Sequence, residues 1–248
     1  MTDIKTQTVG VLCGGMSTER NISLKSGHAV ADALRSRGYT VVEIDVSPDL
    51  PIQLRSQGVD VAWLALHGAF GEDGCVQGLL EVMRIPYTGS AVRGSAIAMD
   101  KIATKRLLAD TSIHLAPDRT WSPGEAIPTD LGFPVVVKTP GGGSTIGIHM
   151  AKNEAELRTA LESCAGFEED VLVEQFVTGE EITVAVLDGK ALPVVSIRPV
   201  DGFFDFEAKY TKGQTEYLVP APIDRIVADT AQHHAEIAFR AIGLSGVA

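Results

Sequence analysis

A lysine followed by a glycine-rich stretch is the part of this sequence with the clearest chemical potential. Lys138 ends an apolar, β-branched run from Phe133 to Val137, which predicts a buried strand. The residues after it, up to Ile148, read TPGGGSTIGI. Consecutive glycines let successive backbone N–H groups point at one ligand, an arrangement suited to phosphate oxygens. Because Lys138 would add a positive charge and Ser144 and Thr145 would add hydroxyl donors, the stretch predicts a phosphate-binding loop.

This stretch matches neither of two common nucleotide-binding fingerprints. The lysine precedes the glycines, whereas a Walker loop places it after them. The G-x-G-x-x-G pattern of dinucleotide-binding folds is missing as well. A mobile surface loop between two strands explains a glycine triplet alone equally well. The choice between these interpretations therefore depends on the elements that would position the loop.

The first half of the sequence predicts a parallel α/β layer. Apolar runs predict strands over 8–13, 40–46 and 59–66, with helical patterns between them. Ligands in such sheets sit beyond the carboxyl ends of the strands, where Glu19 and His67 fall. Glu19 also has a structural interpretation, because the helix dipole favours a carboxylate in the first turn. His67 could equally be a loop residue bonded to a nearby carbonyl group.

The second half alternates strands with helical segments. We expect one helix over 96–110 that carries Lys101 and Lys105, and a later helix with Asn153 as its N-cap. A strand over 171–177 would present backbone donors and acceptors beside apolar side chains, which suits an adenine, although a plain central strand fits equally. The pattern then predicts, in order, a hairpin with strands 182–187 and 191–199 around Asp188-Gly189, a covering loop over 205–210, and an amphipathic helix over 224–242.

Charge and cysteine content narrow the class of protein. The formal net charge of −11 argues against nucleic acid or an anionic membrane as the main partner. The three cysteines are widely spaced and contain no C-x-x-C pair, which disfavours a disulfide framework and a zinc site. We see no signal peptide and no membrane span, so we expect a cytoplasmic protein.

Seven motifs in order carry a resemblance to a known family. They read GGMSTER, LHGAFGEDG, YTGS, MDK, VVVKTPGGGSTIG, VLVEQFVTGEEITVAVL and FDFEAKY. Each is weak alone, but in this order the sequence closely resembles the D-alanine–D-alanine ligases of the ATP-grasp superfamily, from about residue 8 to the end. The resemblance implies ATP-dependent ligation of two D-alanines through an acylphosphate, for peptidoglycan precursor synthesis. It also implies the small-molecule partners D-alanine and ATP, and a possible homodimer.

The fold that this resemblance implies is α/β with three domains. An N-terminal parallel α/β substrate domain would span 1–100. An ATP-grasp fold of two α+β subdomains would follow, with a central domain over 101–180. A partial C-terminal domain over 181–248 would carry the lid loop and would be incomplete.

The family pattern also assigns roles to individual residues. Glu19 resembles the residue that holds the amino group of the first D-alanine, and Ser144 and Tyr210 resemble the residues that close the lid in connection with it. Ile22 and His67 are the substrate-binding candidates. The residues that resemble ATP contacts comprise phosphate-binding lysines, an adenine segment and a ribose-binding carboxylate: Lys101, Lys138, Lys209, Glu174, Gln175, Phe176, Val177 and Glu181. Gln175 replaces a lysine that many relatives have.

Magnesium is the family feature for which this sequence offers no ligands. The family continues with an Arg-x-Asp segment and a Glu-x-Asn motif that hold two Mg²⁺ ions, and this sequence does not continue in that way. Because Mg²⁺ neutralises the transferring phosphate, we expect very low activity from the chain alone. The alternatives are a truncated, non-catalytic ATP-grasp fragment and a ligase that accepts D-lactate as second substrate.

Overall fold

The computed structural model describes residues 4–141, 147–166, 170–200, 206–211 and 213–248. Its contacts divide the chain into two compact units. The first unit comprises Met1–Ala96 with Gly243–Gly246, and the second comprises Ile97–Ile242 with Val247–Ala248. The division into three domains stays a prediction.

The first unit contains the predicted parallel layer. In chain order its elements are β1 (Thr8–Cys13), α1 (Arg20–Ser36), β2 (Thr40–Asp45), α2 (Leu50–Ser56), β3 (Val61–Leu64) and α3 (Cys75–Met83). The strand order is β2-β1-β3 and both pairings are parallel. The prediction of a parallel sheet is confirmed, although the third strand is shorter than expected.

Both faces of the central strand β1 are buried, which explains its continuous apolar run. Leu12 packs into a cluster with residues of β2, α2 and α3. Val9, Val11 and Cys13 pack on the opposite face, where Ala31 of α1 joins them. Parallel strands covered on both sides are expected to be uniformly apolar rather than alternating.

The segment Gly243–Gly246 belongs to the first unit although it is distant in sequence from the rest of that unit. Ser90 Oγ donates a hydrogen bond to Ser245 O at 3.2 Å and accepts one from Ser245 N at 3.1 Å. Ser245 Oγ donates to Gly89 O at 3.0 Å. The segment Gly243–Gly246 therefore belongs to the first unit by direct hydrogen bonds.

The prediction of one helix over 96–110 is wrong, because the structure has two helices in this region. They are α4 (Val92–Met99) and α5 (Lys101–Leu108), separated by Asp100. Asp100 is extended and its side chain accepts a hydrogen bond from Ala103 N at 2.9 Å. An aspartate at an N-cap satisfies an otherwise unpaired helix donor, and this local bond starts a new helix.

After α5, the second unit continues with an antiparallel sheet covered by a helix. Its elements are β4 (Asp118–Trp121), β5 (Val135–Lys138), β6 (Ile148–Ala151), α6 (Glu154–Ala165) and β7 (Val171–Gln175), and the strand order is β4-β7-β5-β6. Leu157 and Leu161 of α6 are buried in the same cluster as Val137 and Val173. Asn153 caps α6 by accepting a bond from Glu156 N at 3.0 Å, as predicted.

The remaining strands form a second sheet and a short hairpin. They are β8 (Glu181–Thr183), β9 (Val186–Leu187), β10 (Lys190–Ala191), β11 (Val195–Pro199) and, after α7 (Phe206–Tyr210), β12 (Thr215–Leu218). The predicted tight turn is confirmed, with φ of 47° at Asp188 and 81° at Gly189. The long hairpin strands predicted over 182–187 and 191–199 are wrong. The turn is flanked by β9 and β10, while β8 and β11 pair with each other beside β12.

Two further predictions differ in detail. The strand over 171–177 ends at Gln175; Phe176 N still donates to Pro134 O at 3.1 Å, but the proline has no N–H with which to continue the ladder. The covering segment is helical over α7 rather than a plain loop. The final helix, α8 (Arg225–Ile242), is confirmed, and Gly243 follows it at a φ of 78°. Within the described residues, no helix is both long and apolar enough to cross a membrane.

Candidate functional site

A cavity of about 650 Å³ lies in the second unit beside β5 and β7. This volume is within the range of small-molecule pockets. Seven of the residues predicted to contact ATP line it: Lys138, Glu174, Gln175, Phe176, Val177, Glu181 and Lys209. The other lining residues are Ala116, Val136, Ile148, Thr178, Gly179 and Glu180. Residues that are widely separated in the sequence are thus brought to one place.

A charged cluster of Lys105, Lys138 and Glu174 adjoins this cavity, and its last two members line it. Glu174 pairs with Lys138 through Oε2 and with Lys105 through Oε1, the latter at 2.6 Å. Only 12 % of the Glu174 side chain is exposed. Although burial alone would raise the pKa of Glu174, hydrogen bonds from Lys105 and Lys138 lower it below the ordinary value. The carboxylate is therefore held in its charged form between two lysines.

The base of the glycine-rich stretch is tied to the start of α5. Lys101 Nζ donates to Thr139 O at 3.3 Å and to Pro140 O at 3.2 Å. Thr139 N donates to Gly147 O at 3.3 Å, which brings the two ends of the stretch together. Lys101 is thus directed at this loop, while Ser144 lies outside the described residues.

The opposite part of the lining combines apolar and acidic side chains. Phe176 and Val177 follow the end of β7, and Val177 is 66 % exposed. Glu181 opens β8, where it pairs in register with Ile197 of β11. Apolar side chains near the cluster of lysines, with a carboxylate beyond them, offer surfaces for a flat ring, a phosphate chain and hydroxyl groups.

In the first unit, Glu19 and His67 are linked through a serine. Ser17 Oγ donates to His67 O at 2.7 Å and accepts a bond from Glu19 N at 3.2 Å. His67 Nε2 is 3.3 Å from Ser26 Oγ. Glu19 is buried, and a Cβ added to Gly68 would lie 2.9 Å from Glu19 Oε2. The geometry places the end of β3 beside the start of α1.

Neighbouring acidic residues in the first unit shape the loop after β3. Gly68 N donates to Glu72 Oε2 at 2.6 Å, and Phe70 N donates to Asp73 Oδ2 at 2.7 Å. Burial would raise the pKa of Asp73, but backbone N–H groups of Cys75 and Phe70 lower it. These two carboxylates bind their own backbone. Ile22 lies half-buried on α1, and Tyr210 ends α7 in the second unit with 37 % exposure.

No group of three or more His, Cys, Asp or Glu side chains is placed to hold a metal ion within the part of the chain that the structure describes. Mg²⁺ lacks a fitting set of ligands among these residues. Asp205 lies outside the described residues.

Lys105 is the residue of the charged cluster for which no functional role was predicted. Its position one helical turn after Lys101 is the only signal in the sequence, because residues four apart share a helix face. Its partner Glu174 is 69 positions away in the sequence. Such a pairing depends on the folded sheet and cannot be read from local pattern.

Family profiles match both parts of the chain. The profile described as D-ala D-ala ligase C-terminus matches residues 112–248, and the one described as D-ala D-ala ligase N-terminus matches residues 50–90. The D-alanine–D-alanine ligase of Syntrophotalea carbinolica is 47 % identical over 247 residues, which are 99 % of this chain and 81 % of the relative. The chain belongs to the D-alanine–D-alanine ligase family. The ligase of Geobacter sulfurreducens is 46 % identical over 98 % of this chain and 78 % of its own length.

Solved structures of ligases in this family agree with the fold. The D-alanine–D-alanine ligase of Bacillus anthracis is 33 % identical with a TM-score of 0.86, over 97 % of this chain and 80 % of that one. A structure of the Bacillus anthracis enzyme complexed with ATP is 31 % identical with a TM-score of 0.84, over 97 % and 79 %. The predicted family and the predicted ATP-grasp fold class are confirmed. The roles of the individual site residues stay predictions.

Proposed function

We propose that this protein joins two D-alanine molecules into D-alanyl-D-alanine at the expense of ATP, for cell-wall precursor synthesis. The observation that carries the proposal is the cavity in the second unit, where seven residues assigned to ATP by the family motifs meet. The family membership of the whole chain supports the same reaction. It favours D-alanine ligation over the D-lactate and binding-only alternatives.

The cavity offers groups suited to each part of ATP. The ammonium groups of Lys138 and Lys209 would contact phosphate oxygens, and Lys101 would contact them from the base of the glycine-rich loop. Phe176 and Val177 would flank the adenine, and the Glu181 carboxylate would accept hydrogen bonds from ribose hydroxyl groups. ATP supplies the phosphoryl group that activates a carboxylate.

The chemistry requires no protein nucleophile. A carboxylate oxygen of one D-alanine attacks the γ-phosphorus and ADP leaves, so that an acylphosphate forms. The amine of the second D-alanine attacks the acyl carbon, loses its proton and expels phosphate. Side chains contribute by positioning the reactants and by stabilising negative charge on the phosphate.

Glu19 and His67 are the candidates for binding the first D-alanine. The Glu19 carboxylate would accept hydrogen bonds from the ammonium group, and His67 would donate to the carboxylate. Ile22 would contact the small apolar side chain. Ser144 and Tyr210 would act in closing the lid, which protects an acylphosphate from water.

The direct test measures ADP and D-alanyl-D-alanine from ATP, MgCl₂ and D-alanine with the whole chain. We expect slow ADP release that depends on D-alanine, with a matching amount of dipeptide by mass spectrometry. ADP release without dipeptide would contradict ligation. A depsipeptide formed preferentially when D-lactate is added would instead assign a different second substrate.

Location and assembly belong to the same proposal. A cytoplasmic location is supported by three free cysteines, of which Cys13 and Cys164 are buried and Cys75 is exposed. A homodimer, which the family resemblance implies, is tested by light scattering of the purified chain. A mass of one chain at micromolar concentration would contradict it.

A further inference from the structure

In the charged cluster, the ammonium group of Lys105 contacts three protein groups. Its Nζ lies 2.6 Å from Ala116 O, 2.6 Å from Glu174 Oε1 and 3.1 Å from Asp118 Oδ1. The ammonium group donates hydrogen bonds to Ala116 O and Glu174 Oε1, and Asp118 is an ion-pair partner. The side chain is only 12 % exposed. Lys105 is therefore fixed in the protein and is not available to a ligand.

The sheet explains why a cation is needed at this place. Asp118 and Glu174 are directly opposite each other on the antiparallel strands β4 and β7. Two carboxylates in such a cross-strand pair repel each other. Lys105 of α5 contacts both, so it neutralises a pair that the strand register imposes.

Lys138 shares the same carboxylate but has a different position. It lies on β5, in which Val136 is the register partner of Glu174, and its side chain lines the cavity. Lys105 is not among the described residues that line this cavity; it lines a neighbouring one of about 480 Å³. One lysine thus lines this cavity, and the other contacts the same carboxylate without lining it.

The charges of the cavity lining explain why neutralising Glu174 matters for nucleotide binding. The described lining residues carry three carboxylates, Glu174, Glu180 and Glu181, against the two ammonium groups of Lys138 and Lys209. A nucleotide triphosphate is strongly anionic, so each uncompensated carboxylate opposes its binding. If Glu174 depended on Lys138 alone, the positive charge that Lys138 presents to the cavity would be cancelled.

We propose that Lys105 is a positioning residue for nucleotide binding. It neutralises and fixes Glu174, so that the ammonium group of Lys138 keeps its positive charge for the phosphates. This inference rests on the proposed function only in taking ATP as the nucleotide. It assigns Lys105 no contact with substrate.

The test compares the binding of ATP and of adenosine by calorimetry, without D-alanine. We expect Lys105→Met to weaken ATP binding about tenfold and to change adenosine binding by less than about twofold, because only ATP has phosphates. Lys105→Arg keeps the charge and should bind ATP within about threefold of the unaltered chain. Lys190→Met is the matched control, since Lys190 is exposed in the same unit.

A double-mutant cycle separates positioning from a general structural role. In a Lys138→Met background, adding Lys105→Met should change the Kd of ATP by less than about twofold, because its target is gone. An equal loss in both backgrounds, an equal loss of adenosine binding, or no loss of ATP binding would each overturn the proposal. If Lys105→Met does not fold, Lys105→Gln decides, because it keeps hydrogen-bond donors and removes the charge.

The outcome is distinguishable from failure of the proposed function. A chain that binds ATP with the expected Lys105 dependence but makes no dipeptide would overturn the ligase proposal and support the role of Lys105. If the chain makes dipeptide but Lys105→Met binds ATP normally, the ligase proposal is supported and the proposed role of Lys105 is overturned. A chain that binds no ATP would overturn both.

Discussion

Glu174 is held by two lysines, and its side chain is mostly shielded from water. Burial of a carboxylate without partners is costly, so the two hydrogen-bonded ammonium groups decide its charge state. These ion pairs tie three elements of the second unit together, and Lys138 and Glu174 also line the cavity proposed for the nucleotide. Because these ion pairs form without ATP, their contributions to stability can be measured in its absence.

The stability contributed by Glu174 should depend on pH. Its pKa in the folded protein is lowered from 4.5, so the contribution is present above that pH and is lost as pH falls through the folded-state pKa. We expect Glu174→Gln to reduce the free energy of unfolding by about 1 to 3 kcal/mol at neutral pH. Urea unfolding at decreasing pH should show this difference shrinking. An undiminished difference, or the same loss in Glu162→Gln on the exposed face of α6, would contradict it.

Glu19 should affect one substrate more than the other. The Glu19→Gln change removes the negative charge that would bind an ammonium group, and we expect the KM for D-alanine to rise about tenfold or more with little change in the KM for ATP. Steady-state kinetics with each substrate varied in turn provide the measurement. Asp32→Asn, which changes an exposed carboxylate on α1, the helix that follows Glu19, is the control. Equal effects on both KM values would indicate a structural role.

At the scale of elements, α1 approaches β1 through a glycine. A Cβ built on Gly27 would lie 2.4 Å from Cys13 Cβ and 2.8 Å from Cys13 Sγ. A contact with the base of a strand side chain cannot be relieved by rotation of a flexible end. Gly27 is buried, so its lack of a side chain sets the distance between helix and sheet.

Two glycine-to-alanine substitutions should therefore change the free energy of unfolding in opposite directions. Gly27→Ala should destabilise the protein by about 1 to 3 kcal/mol, because the helix must move away from β1. Gly78→Ala in α3 should stabilise it by about 0.5 to 1 kcal/mol through helix propensity, since its nearest neighbour would be Val92 Cγ2 at 3.8 Å. Free energies of unfolding in urea measure both. Stabilisation by Gly27→Ala would show that the helix adjusts freely.

At the scale of the whole molecule, a nucleotide should protect the second unit selectively. Ligand at about 100 times its Kd adds about 2.7 kcal/mol to any opening that releases it. Amide hydrogen exchange should thus slow in β5, β7 and residues 175–181 when ATP is added, while β1 exchanges as before. Slower exchange in β1 with no change in β5 and β7 would place the nucleotide site elsewhere.

Local pattern predicted much of this molecule because many of its signals are local. The apolar run of β1, the Asn153 cap and the Asp188-Gly189 turn each act within a few residues. The nucleotide candidates were recognised through ordered motifs, and seven of them line one cavity. Lys105, by contrast, depends on Glu174 at a separation of 69 residues, and the division of 182–199 between two sheets depends on pairing with β12. These features arise from tertiary contacts.

The hydrogen bonds between Ser90 and Ser245 have a consequence for the order in which the chain acquires its structure on the ribosome. The two residues are 155 positions apart, and both belong to the first unit. Contacts across such separations form late, because closing the intervening loop costs entropy. The first unit can form its sheet soon after it is synthesised, but the turn at Gly89 and Ser90 acquires these partners only after the second unit has emerged. Maturation of the first unit is therefore coupled in time to synthesis of the second unit.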